Sequence, residues 1–166
     1  MSIEHLRKVE LILSRYRQQL TGKEIALTTT PDEDKARVKL QIADLKTEIK
    51  PYEEEYWDLI SQESEHIEIS EVDAQSAVTE IIHQVAKIEL DSSYPHAVIQ
   101  LLQEIKDKLE QTDKSAAAKL KGVISSIPPF LGIAYEIELD TESFFRKNFP
   151  TLVKLINGFT KKKRFL

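Results

Sequence analysis

Cysteine is absent from this 166-residue chain, and with it go disulfides, thiolate zinc sites and thiol nucleophiles. Glycine is scarce: Gly22, Gly122, Gly132 and Gly158 each stand alone, leaving no glycine-rich loop to cradle a phosphate and no Gly-x-Ser-x-Gly elbow. With 6 prolines besides, the chain has few turn residues, which disfavours a turn-rich β fold and points to long helices. Long hydrophobic runs are missing too; no window comes near the roughly 18 uninterrupted apolar residues that suggest a membrane span. Residues 1–10 carry Glu4, Arg7, Lys8 and Glu10, so no signal peptide is expected there, and with the lack of cysteine this leads to the expectation of a cytoplasmic protein.

What is present is enough for a core. Apolar residues make up 41% and charged residues 31%, as in a chain with one buried interior and a well-solvated surface. The net charge of −5 conceals an asymmetry. Between Pro51 and Asp73 there are nine acidic residues and no Lys or Arg, whereas from Lys114 onward ten basic residues face four acidic ones. The last of these form the basic tail Lys161, Lys162, Lys163 and Arg164. Such polarity can orient self-association, or bring the tail to an anionic surface.

Two apolar stripes dominate the first third of the chain. One runs Leu6, Val9, Leu13, Tyr16, Leu20, Leu27; the other runs Val38, Ile42, Leu45, Ile49, Tyr52, Tyr56, Leu59. Steps of three and four place each set on one helix face. The polar segment 28–33 lies between them, so the spacing predicts a long antiparallel hairpin over residues 1–62, with a narrow seam like that of a coiled coil. Lys23 falls on that seam. Thr30 is the expected N-cap of the second helix, with Pro31 at its first position and Glu33 completing a capping box. Pro51 interrupts the second stripe without changing its phase, which predicts one kinked helix to about residue 62; a break at Lys50 is the alternative.

Residues 63–70 read as a polar linker, with 66–70 alternating like a short strand. A compact, mostly helical domain is expected over 71–160. Its first helix carries Ala74, Ala77, Val78, Ile81, Val85 and Ile88 on one face, with Ser70 as cap. The next starts near Pro95 with Val98, Leu101, Leu102, Ile105 and Leu109, and a third follows with Asp113 as cap and Ala117, Leu120, Val123, Ile124 and Ile127 inward. Pro128-Pro129 is expected to stop it. In 130–139, Tyr135, Ile137 and Leu139 alternate with Glu136 and Glu138 as a half-buried strand would. This segment can pair with 66–70 in a minimal two-stranded ribbon. Asp140 then caps a short helix from Thr141 to Asn148, and Pro150 opens a last one that Asn157-Gly158 ends. The fold class is therefore mainly α.

Candidate chemistry is thin. Glu63-x-x-His66 and Glu80-x-x-His83 match the pair that binds iron in four-helix carboxylate proteins. However, the inward positions near His83 are the apolar residues at 78, 81 and 85, residues 63–66 lie in the least helical stretch, and no further inward-facing glutamates are evident. No metal or cofactor is expected. The four histidines, His5, His66, His83 and His96, are scattered, so neither an enzyme nor a small-molecule substrate is expected. Partner binding is the remaining class, with Leu13, Tyr16, Leu20, Leu45, Ile49, Tyr52 and Tyr56 as the contact residues of the seam.

The stretch from Leu120 to Phe145, with Ile-Pro-Pro-Phe-Leu-Gly at its centre and Tyr-Glu-Ile-Glu-Leu-Asp after it, resembles segments of multidomain bacterial, largely cyanobacterial, signalling and conflict proteins. Glu53-Glu-Glu-Tyr-Trp57 is similar to the end of the hairpin in the same proteins. There, an N-terminal helical hairpin and a small helical domain form an effector-associated, adaptor-like region ahead of pentapeptide repeats, ATPase or effector modules. The resemblance covers residues 10–160 in layout and carries no catalytic motif, so no functional residue is transferred. It implies a non-enzymatic protein–protein interaction or oligomerisation module in bacterial signalling or defence, acting through self-association or on another protein. The alternative is peripheral binding of anionic membrane or nucleic acid through the basic C-terminal tail.

Overall fold

A computed structural model of the chain describes residues 3–91, 93–137 and 139–164, with side chains to residue 159. Among the described residues there are seven helices and no strand: α1 (Ile3–Leu27), α2 (Asp32–Ser64), α3 (Glu71–Glu89), α4 (His96–Leu109), α5 (Ala116–Glu136), α6 (Thr141–Asn148) and α7 (Pro150–Arg164). None of them is long and apolar enough to cross a membrane. The chain divides into two compact units, 1–56 and 57–166, so the division falls inside α2, upstream of the boundary the sequence suggests at 62.

In the first unit, α1 ends at the turn 28–31. The hydroxyls of Thr28 and Thr30 donate to Ile25 O and Ala26 O at 2.7 Å each, satisfying carbonyls that a helix end leaves without intrahelical donors. This corrects the expected role of Thr30, whose hydroxyl closes α1 rather than capping α2. The helix α2 begins at Asp32 and places Asp32, Glu33 and Asp34 in its first turn, where the macrodipole favours negative charge. It continues through Pro51, so the alternative of a break at Lys50 is not what forms.

The second unit is built around α3. All six apolar residues expected on its inner face are buried, and α3 packs against α4, α5 and α7. Each fully buried Val or Ile contributes about 1.5–3 kcal/mol relative to exposure, which favours the docking of this face. Ser70 caps it, accepting from Asp73 N at 3.3 Å. The helix α4 follows Pro95 as expected, after a turn in which Ser93 N donates to Asp91 Oδ1 at 2.9 Å. Asp140 caps α6, its Oδ1 3.2 Å from Ser143 N.

Five local expectations are corrected here. Residues 66–70 form no strand: His66 N donates to Glu63 O at 3.0 Å in a turn, and the alternation reflects burial of Ile67 and Ile69 beneath an irregular segment. Ser115, not Asp113, caps α5, accepting from Ala118 N at 3.2 Å. Pro128-Pro129 does not stop α5. The prolines remove donors opposite Ile124 O and Ser125 O, but Phe130, Leu131 and Ala134 extend the buried stripe at helical spacing, and that burial outweighs the lost bonds. Residues 130–136 are therefore helical, and Leu139 N closes the end of α5 on Ala134 O at 2.9 Å, so no ribbon forms among the described residues; Glu138 lies outside them. Likewise α7 passes through Asn157-Gly158 to Arg164, since a helical glycine costs only about 1 kcal/mol.

An aromatic cluster fills the second unit. Phe130 stacks obliquely on Phe144 and Phe145, with ring centroids 5.7 Å from each, and Phe149 closes over both. Trp57, the single tryptophan, is buried with its ring 5.4 Å from Phe145. Beside the cluster, Ile81, Leu102, Val123 and Leu152 help line an apolar void of about 10 Å³. A cavity that takes a benzene-sized ligand is about 150 Å³, so this void is a packing gap.

Candidate functional site

The stripe residues of the first unit divide by burial. Leu13 and Ile49 are almost closed off, at 1% and 6% exposure. Tyr16, Leu20, Leu45, Tyr52 and Tyr56 keep intermediate exposure, as do Leu27 and Ile42. Contacts between α1 and α2 are spaced along their length. His5 Nε2 lies 2.6 Å from Glu55 Oε1, the Tyr16 and Tyr52 rings are 5.6 Å apart at 33°, and Lys23 Nζ donates to Gln41 Oε1 at 2.9 Å. As the number on α1 rises, the number on α2 falls. Lys23, the charged residue of the first stripe, thus finds a neutral polar partner on α2.

The electrostatics of the stripe follow from its half-buried phenols. Burial holds the Tyr56 hydroxyl well above its ordinary ionisation range; the charge of Glu10 adds to this and that of Arg17 opposes it. Loss of water around Tyr16 raises its hydroxyl as well, reinforced by Glu48 and by the Tyr52 hydroxyl. Both phenols stay neutral at physiological pH, so the stripe presents rings and hydroxyl groups rather than charge.

Three large apolar side chains of the same helices lie off the stripe and in water: Leu11 at 51%, Ile25 at 65% and Leu40 at 62% exposure. Each stands two positions from a stripe residue (Leu13, Leu27, Val38), hence about 200° around the helix from it. Sequence reasoning passed over them because single apolar residues on a polar face carry no periodic signal.

The other candidate residues do not converge. Glu63 is buried and His66 exposed; Glu80 gives both carboxylate oxygens to Thr151, while His83 is exposed. Among the described residues no group of three or more carboxylates and histidines is placed to hold a metal ion. The side chains of Lys161, Lys162, Lys163 and Arg164 lie outside the described residues. Much of the acidic stretch 51–73 serves the fold: Glu53 and Glu63 are buried, Glu55 meets His5, and Glu71 caps α5.

A scan against protein-family models finds no match to this chain, and neither does a search of curated proteins or of solved structures.

Proposed function

We propose that the chain is a non-enzymatic protein–protein interaction module whose first unit is an antiparallel, coiled-coil-like hairpin that associates with a second copy. The half-covered apolar stripe carries this reading: Tyr16 and Tyr52 meet across α1 and α2, and these two with Leu20 and Leu45 keep intermediate exposure. Two helices alone cannot surround such a stripe, and a second pair laid against it removes the remaining apolar surface from water, at about 25 cal/mol per Å². Interspersed charge on the flanks, such as Glu24 and Lys39, sets orientation more than affinity. The resemblance to adaptor-like regions of bacterial signalling and conflict proteins supports the same role and suggests that setting.

Light scattering over a concentration series, at low and high salt, tests this. A defined oligomer in the wild type that Leu45→Glu or Leu20→Glu dissociates, with the melting of residues 71–160 unchanged, supports the reading. A monomer at every concentration, or a Leu45→Glu chain whose second unit also melts, overturns it.

A further inference from the structure

No further inference is drawn: the strongest candidate, the exposed stripe of small residues along α5 through Ala118, Gly122, Ser125, Pro129 and Gly132, carries nothing, because no second observation in the structure shows what covers it.

Discussion

The carboxylate of Glu71, in the first turn of α3, accepts a hydrogen bond from Ala116 N at 2.9 Å with one oxygen and from Ala117 N at 3.2 Å with the other. A side chain 45 residues upstream thus supplies part of the N-terminal cap of α5. Ser115 supplies the rest through Ala118 N, so three of the four amides that open a helix without intrahelical acceptors are satisfied.

This arrangement fixes the sign of one pH effect. The two amide hydrogen bonds, aided by Lys119, hold the Glu71 carboxyl below its ordinary value of 4.5, against a smaller opposing effect of burial. A depressed folded-state value means that the contribution is complete above 4.5 and is lost as pH falls through the folded value. Denaturant melts across an acid series are expected to show a steeper loss of stability for the wild type than for Glu71→Gln, which keeps an acceptor but cannot titrate. Superimposable acid limbs would remove Glu71 from the account.

Glu80 makes the equivalent clamp on α7, with Oε1 2.9 Å from Thr151 N and Oε2 2.7 Å from the Thr151 hydroxyl. Glu80→Ala leaves a half-buried amide and hydroxyl without their acceptor and is expected to destabilise the second unit by about 1–3 kcal/mol. A double-mutant cycle with Thr151→Ala, measured by urea unfolding, is expected to return a coupling of about 1 kcal/mol. A coupling near zero would mean that the two hydrogen bonds add nothing beyond packing.

The aromatic cluster provides an optical reporter. Phe145→Ala removes the ring against Trp57 and opens a cavity at the centre of the cluster, for an expected cost of about 3–5 kcal/mol. Trp57 emission is expected to shift to the red in the same variant before any unfolding. An unshifted spectrum would place the Trp57 environment elsewhere.

Tyr56 predicts the opposite pH limb. Its folded-state value lies above the ordinary 10.0, so its stabilising contribution is whole below 10.0 and is lost as pH climbs toward the folded value. An alkaline titration followed by ultraviolet difference absorbance is expected to show a late phenol step that Tyr56→Phe abolishes. A wild type whose phenols all ionise near the ordinary value would contradict the burial of this hydroxyl.

Some local signals in the sequence match the structure, while the caps expected at Thr30 and Asp113 and the stop expected at Asn157-Gly158 do not. The inner face of α3, the caps Ser70 and Asp140, and the starts after Pro95 and at Pro150 each depend on residues within a turn or two of one another. At Thr30 and Asp113 another local hydrogen bond takes the place of the expected cap, whereas in α5 a local rule meets a stronger tertiary one. Pro128-Pro129 and the alternation after Tyr135 both argue against helix, yet the buried series Leu120, Val123, Ile124, Ile127, Phe130, Leu131, Ala134 keeps a helical period across them and decides the outcome. That series was visible in the sequence. The clamps of Glu71 and Glu80 were not: their partners lie 45 and 71 residues away, and no spacing rule links a glutamate on one helix to a backbone amide on another. On the stripe, the spacing places Tyr16, Tyr52 and Lys23 on their helix faces, but neither the Tyr16–Tyr52 and Lys23–Gln41 pairings nor the exposure of Leu11, Ile25 and Leu40 follows from it.

The two clamps also impose an order on synthesis. Because α3 receives α5 at Glu71 and α7 at Glu80, it is completed only by segments made after it. A nascent chain that has emerged from the ribosome as far as residue 136 can close α3, α4 and α5 together while Glu80 still faces water. Until Pro150 and Thr151 emerge, the side of α3 that α7 covers stays open to chaperones or to wrong neighbours. The vulnerable interval in the life of this protein is therefore the time between the emergence of α5 from the ribosome and that of the first turns of α7.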